Sequence, residues 1–209
     1  MALHATSEAL WTQGLHHLTL VGAGRDVSID FWSGLLGMPL VHEEPNEDNP
    51  AESHLHFDPG DSRMITIFAN EDRERNSART STETGAVHHI ALSVSAESLA
   101  KIEARLDERG IAHSGRRHRG FTESIYFEDP LGMLIELARY SFAVPDGYTV
   151  ADVMIAAHHV RASEGARSIE PAHVTAAVNR LSAQWTELPA ALWNDRLEAR
   201  VAGLGPATR

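Results

Sequence analysis

The chain has 209 residues, 43% of them hydrophobic and 22% charged, which is enough apolar material for a buried core and one to two domains. A formal charge of −11 works against contact with a nucleic-acid backbone or an anionic bilayer, so neither is expected as a partner. There is no cysteine, so disulfides and thiolate chemistry are excluded and any metal must be held by nitrogen and oxygen.

Met1 to Gly14 lacks the basic, apolar and small-residue order of a signal peptide, and no apolar run reaches membrane-spanning length. A cytoplasmic location is therefore expected, with residues 1–13 as an N-terminal segment. His17 to Val21 alternates as a strand, and Gly22-Ala23-Gly24 follows as a turn too short for a phosphate-binding loop. An amphipathic helix begins at Asp26, with Ile29, Phe31, Trp32, Leu35 and Leu36 as its apolar stripe and Gly37 and Pro39 as its stop. Strands are predicted over Pro39 to Glu43, Ser53 to Asp58 and Arg63 to Phe68, with Asp58-Pro59-Gly60-Asp61 as a turn. Residues 14–70 thus read as one βαβββ unit, followed by a polar linker over 71–85.

The same order recurs over 86–140. His88 to Val94 is predicted as a strand and Ala96 to Arg109 as a helix with Leu99, Ile102 and Leu106 at helical spacing and Gly110 as its stop. Strands are expected at Ile111 to Gly115, Thr122 to Glu128 and Gly132 to Ala138, the last two joined by Asp129-Pro130-Leu131-Gly132. From 141 to 209 the sequence turns alanine-rich, with helices predicted near Thr149 to Ala162, Pro171 to Trp185 and Pro189 to Ala202. Val150, Val153, Met154, Ala157 and Val160 are expected to pack on the sheet layer or on a second subunit. His158 and His159, about 100° apart on a helix, do not share a ligand face and read as structural or solvent-facing.

The repeat also duplicates a histidine pair, His16-His17-Leu18-Thr19-Leu20 and His88-His89-Ile90-Ala91-Leu92. Strand alternation puts Leu18, Leu20, Ile90 and Leu92 toward the core and leaves His17, Thr19, His89 and Ala91 on the other face. Glu136 is a lone carboxylate in the apolar run Met133 to Ala138, costly to bury unless a cation or donor is near. His17, His89 and Glu136 therefore form a candidate three-ligand metal set with open positions for exogenous ligands. Alternation points Tyr126 away from Ile125 and Phe127, toward a cavity beside Glu136. His54-Leu55-His56 places two imidazoles on one strand face, but no third acidic partner of helpful spacing is evident, so it stands as a lesser alternative.

Gly14 to Leu20, Phe31-Trp32-Ser33-Gly34-Leu35-Leu36-Gly37-Met38, Val87 to Leu92 and Tyr126 to Leu137 together resemble the vicinal-oxygen-chelate superfamily of glyoxalases, fosfomycin- and bleomycin-resistance proteins and extradiol dioxygenases. The doubled histidine pairs, together with Arg119-Gly120-Phe121 through Phe127, are most similar to its hydroquinone ring-cleaving branch. That resemblance implies an α+β fold of two βαβββ modules in a curved open mixed sheet around a metal, with a C-terminal helical extension. It implies His17, His89 and Glu136 as ligands of Fe(II), or alternatively Mn(II), and His16, His88, Arg119 and Tyr126 in catalytic roles. Thr19, Arg119 and Tyr126 would meet the substrate, a catechol- or hydroquinone-type aromatic cleaved with O2 in aromatic-compound catabolism. The branch usually has about twice as many modules as this chain. A fourth protein ligand, as in glyoxalase I, would fall near Thr66, a poor ligand. The same resemblance leaves open a metal-dependent lyase or transferase of the glyoxalase or fosfomycin-resistance type, and a non-catalytic drug-binding protein. It also implies a homodimer and leaves open whether the site lies within one chain or between two.

Overall fold

The computed structural model describes residues 14–75, 82 and 84–186. The first module runs β1 (His17–Gly22), α1 (Arg25–Ile29), a π-helical segment (Asp30–Leu35), β2 (Leu40–Pro45), β3 (Ser53–Phe57) and β4 (Met64–Ala69). The second runs β5 (Ile90–Ser93), α2 (Ala96–Glu108), β6 (Arg117–Arg119), β7 (Thr122–Glu128) and β8 (Leu134–Tyr140). Two helices follow, α3 (Val150–Ser163) and α4 (Pro171–Thr186).

Each module closes a four-stranded mixed sheet, ordered β1-β4-β3-β2 in the first and β5-β8-β7-β6 in the second. The parallel pairs β1–β4 and β5–β8 sit at the same place in the two sheets. This is the α+β fold of paired βαβββ modules with helices after them. The helical crossover is what a parallel pair requires.

The first helix departs from a simple α-helix. It widens after five residues, and the Leu36 amide donates five residues back to the Phe31 carbonyl at 3.1 Å. The widened turn lets the adjacent Phe31 and Trp32 and then Leu35 all bury, whereas Ile29 and Leu36 are only partly covered. The close of β1 depends on Gly22, where a Cβ would stand 2.1 Å from Ile67 Cγ2. In α2 the Ser95 side chain accepts from the Ser98 amide, Leu99, Ile102 and Leu106 bury one face, and Gly110 at φ +65° ends the helix.

No strand forms over Ile111 to Gly115, contrary to the sequence expectation; only an isolated bridge joins His113 to Phe127. Two left-handed glycines, Gly110 and Gly115, bracket the segment, and the Ile111 amide turns back to the Leu106 carbonyl. The fourth strand of the second sheet is instead β6, formed by Arg117–Arg119 in a basic stretch for which no strand was expected. Other strand ends differ by at most two residues, as at β5, which starts at Ile90 rather than His88, and at β8, which runs two residues later at both ends.

Strand alternation sends the apolar set of both sheets to one core, which joins Leu20, Trp32, Leu55 and Phe57 of the first module to Leu99, Ile125, Ile135 and Leu137 of the second. The two helical segments lie in that shared layer. Phe31 meets Phe127 with ring centroids 6.2 Å apart, the Arg105 guanidinium donates to the Leu35 carbonyl at 3.0 Å, and Arg109 pairs with Asp30 at 2.7 Å.

The chain divides into two compact units, Met1–Arg139 and Tyr140–Arg209. In the second unit α3 packs on α4. Val153 and Ala157 bury from one helix and Val174, Ala177 and Leu181 from the other. Val153 and Ala157 of the apolar stripe predicted on α3 are thus covered within this unit. Thr149 and Asp152 cap α3 reciprocally, and His158 and His159 are exposed. The helix expected over 189–202 lies outside the described residues. No helix among the described residues is long and apolar enough to cross a membrane.

Candidate metal centre

Because β5 and β8 run parallel with Ala91 opposite Glu136, His89 enters the sheet beside the Glu136 strand. The His89 Nε2 lies 2.9 Å from Glu136 Oε2, and the Tyr126 hydroxyl donates to Glu136 Oε1 at 2.6 Å. Tyr126 and Glu136 both lie on alternate positions that face away from Ile125, Phe127, Ile135 and Leu137, as the strand pattern requires. The carboxylate is mostly covered, with its side chain 12% exposed, while His89 remains open at 34%.

Burial pushes the Glu136 carboxyl up, but hydrogen bonds from Ser124 and Tyr126 and the neighbouring His89 outweigh it and hold it below the usual carboxylate value. The partner phenol moves the other way. Burial first, and then the Glu136 carboxylate, raise Tyr126 above its ordinary value, so it stays protonated and keeps donating. Ser124 is a support that sequence reasoning missed. It is buried at the alternate position two residues before Tyr126, a spacing that marks it in retrospect.

Each histidine pair is built alike. His16 Nδ1 lies 2.8 Å from His17 Nδ1, and His88 Nδ1 lies 2.8 Å from His89 Nδ1, with the rings edge-on in both pairs. One Nδ1 of each pair carries the proton and the other accepts it, which leaves an Nε2 of His17 and of His89 directed elsewhere. A neutral imidazole oriented by such a bond is the usual form of a metal ligand.

A nitrogen and an oxygen each about 2.1 Å from one octahedral ion stand about 3 Å apart, so the His89–Glu136 spacing fits two adjacent ligands of a divalent metal. His17 lies on the other sheet. It starts β1 opposite Met64, exposed beside Thr19, whose hydroxyl accepts from Thr66 Oγ1 at 2.9 Å. Thr66 stands opposite Thr19 as Glu136 stands opposite Ala91, so it holds the position a fourth ligand would take. Since the apolar faces of both sheets share one core, the polar faces that carry His17 and His89 point away from it. A groove of about 820 Å³ lies on the apolar side, lined by Leu18, Ile65, Ile90, Leu92, Ile102 and Leu137, and not on the histidine side.

Among the described residues, one group of three metal-binding side chains has ligand atoms all within 4.8 Å of one another, and it is His42, Glu44 and His56. His17, His89 and Glu136 do not form such a group in one chain. The acidic partner not evident beside His54 and His56 in the sequence is Glu44, brought by the antiparallel β2–β3 pairing. Burial first, and then the nearby His54 and His42, lower the His56 pKa. Arg119 ends β6, exposed and opposite Thr122, and its charge acts to lower the Tyr126 pKa. Glu123, also missed, is buried and paired with Arg139 at 2.5 Å and Arg116 at 3.5 Å.

The sequence of residues 14–137 matches that of the Glyoxalase/Bleomycin resistance protein/Dioxygenase superfamily. Among curated proteins, the chain is 25% identical over 144 residues to "Putative ring-cleaving dioxygenase MhqO" of Bacillus subtilis (strain 168), covering 68% of this chain and 45% of that one. It is 28% identical over 130 residues to "Putative ring-cleaving dioxygenase MhqA" of the same organism, covering 59% and 39%. The chain thus spans about half or less of the length of the curated relatives it matches. A glyoxylase/bleomycin resistance protein/dioxygenase domain from Frankia sp. EAN1pec superposes with a TM-score of 0.54 at 18% identity, over 62% of this chain and 98% of that one. At that identity the likeness is one of fold. With the repeated modules and the matched residues together, the chain belongs to the Glyoxalase/Bleomycin resistance protein/Dioxygenase superfamily.

Proposed function

We propose that this chain is a metal-dependent ring-cleaving dioxygenase that opens a catechol- or hydroquinone-type aromatic with O2. His17, His89 and Glu136 would be its metal ligands, for Fe(II) or alternatively Mn(II). The observation that carries the reading is the Glu136 carboxylate, held between His89 Nε2 at 2.9 Å and the Tyr126 hydroxyl at 2.6 Å. The curated relatives named as ring-cleaving dioxygenases support it. Bound Fe(II) with two histidines and one carboxylate would supply a centre with free positions where an aromatic diol and O2 meet.

The chain's own residues have separable parts in this reading. With the metal on His89 Nε2, the imidazole proton sits on Nδ1 and is donated to His88 Nδ1 at 2.8 Å, which fixes the ring. His16 orients His17 in the same way. The Tyr126 hydroxyl steadies one Glu136 oxygen and, kept protonated, is a donor for a substrate oxygen beside it. Arg119 offers a fixed positive charge for a phenolate or for the carboxylate of an opened ring, and Thr19 faces the substrate side. The Thr66 hydroxyl, engaged with Thr19, leaves the fourth protein position to exogenous ligands.

The site is completed in a homodimer, in which His17 of one copy meets His89 and Glu136 of the other. The placement of the two polar faces away from a shared core supports this arrangement.

Anaerobic Fe(II) loading followed by oxygen-electrode traces with a panel of catechols and hydroquinones tests the function, with metal content measured on the same sample. O2 uptake equal to diol consumed, with a ring-opened chromophore, is expected. Stoichiometric metal without O2 uptake across the panel would contradict it.

A further inference from the structure

The hairpin of β2 and β3 carries four polar side chains at the corners of a rectangle. His42 stands opposite His56 and Glu44 opposite His54, and on each strand the two residues are two apart and share a face. A register shift between Leu40 and His42 brings His42 level with His56. The His42 and His56 rings stack with centroids 5.1 Å apart, and those of His54 and His56 lie 4.0 Å apart.

We propose that His42, Glu44 and His56 form a second metal site, distinct in its ligands from the centre proposed above and suited to a late first-row divalent ion such as Zn(II). Two imidazoles and a carboxylate are a donor set that binds such an ion without sulfur. His42 Nε2 and Glu44 Oε2 are already 3.3 Å apart, close to the roughly 3.3 Å that separates two ligands of a tetrahedral Zn(II). The third ligand atom lies within 4.8 Å of both. Both His42 and Glu44 are about half exposed, so they can rotate inward without repacking the core.

The second observation is an unmet polar demand at the same place. His54 Nε2 and His56 Nδ1 are buried and have no hydrogen-bond partner among the described residues. A buried ring nitrogen left so is costly, and an ion bound within the group is one way to remove that cost at His56. His54 does not join the three ligand atoms. Its Nδ1 lies 3.8 Å from Glu44 Oε1, the oxygen not facing His42, which is beyond hydrogen-bonding distance.

The site uses none of His17, His89 or Glu136, and its test is made where that centre is disabled. Metal-free Glu136→Gln protein is dialysed against Zn(II) and the bound metal is measured by mass spectrometry. About one Zn(II) per chain should remain, and adding His42→Ala with His56→Ala should weaken it by about tenfold or more. Glu44→Gln, a change at an exposed side chain, should weaken it similarly while the melting temperature of the metal-free protein stays unchanged. Undiminished Zn(II) binding by the triple variant, or none by Glu136→Gln alone, would overturn the proposal. Equal binding by wild type and Glu136→Gln would instead count against the centre built on Glu136.

Discussion

At matching positions of the two sheets, the first module carries Thr66 next to His56 and the second carries Glu136 hydrogen-bonded to Tyr126. Both modules keep a paired histidine at the start of the strand beside them, with the same 2.8 Å contact between ring nitrogens. The first face is rich in imidazole and poor in acid except at Glu44, whereas the second concentrates a carboxylate, a phenol and Ser124 around one point. One backbone plan thus carries two different sets of side chains. In the proposed function, the half that holds the carboxylate would decide where a divalent ion sits, and the other half would contribute a histidine and leave room for the ligands that react.

The largest effect should come from removing the feature that separates the modules. Loss of an outer partner of a ligand costs about 10–100-fold in metal affinity, so Glu136→Gln should cost more than about 100-fold in Fe(II) affinity, with turnover lost in step. Metal analysis and oxygen uptake on the same sample read both. Tyr126→Phe keeps the carboxylate and deletes its donor. At saturating Fe(II), which offsets any loss of metal affinity, turnover should still fall by about 100-fold, and a KM little changed would place the loss in the chemical step.

Glu123, buried and paired with Arg139 on the core-facing side of β7 and β8, tests whether the second module needs its charge pairs to hold shape. The Arg139 hydrogen bond holds the Glu123 carboxyl below its ordinary value of 4.5 despite burial. A carboxyl lowered in the folded state contributes stability in full above that ordinary value and loses it as the pH falls through the folded one. Glu123→Gln should therefore cost about 2 kcal/mol at neutral pH, less than a fully buried pair because Arg139 is partly exposed. Urea unfolding at pH 7 and at pH 3 reads it, with the difference from wild type shrinking at the lower pH. The smallest effect should be that of His88→Ala, which frees the His89 ring and should weaken metal binding by about tenfold.

Much of the fold was legible because its signals are local. The doubled pentad, the Leu99-Ile102-Leu106 spacing and the alternation of Ile125 and Phe127 each carry their own period. The widened turn at Asp30–Leu35 was not, since a π-type hydrogen bond leaves no mark in apolar spacing. The missing strand over Ile111 to Gly115 failed for a related reason, because two left-handed glycines overrode a plausible strand composition. Of the candidate site, alternation put His89, Tyr126 and Glu136 on the non-core side of their strands, and the β5–β8 pairing then sets His89 beside Glu136. Glu44 did not, because its approach to His56 depends on cross-strand register and a bulge that no single strand encodes.

Subunit complementation asks whether a working site takes His17 from one chain and His89 with Glu136 from another. The His17→Ala and Glu136→Gln proteins, each inactive alone, are unfolded together, refolded as a mixture, loaded with Fe(II) and assayed for diol-dependent O2 uptake. If the site is shared in this way, a mixed dimer holds one site with all three ligands intact, and activity should return. A mixture as inactive as its two components, in samples shown to contain the mixed dimer, would contradict it and place all three ligands within one chain or outside the site.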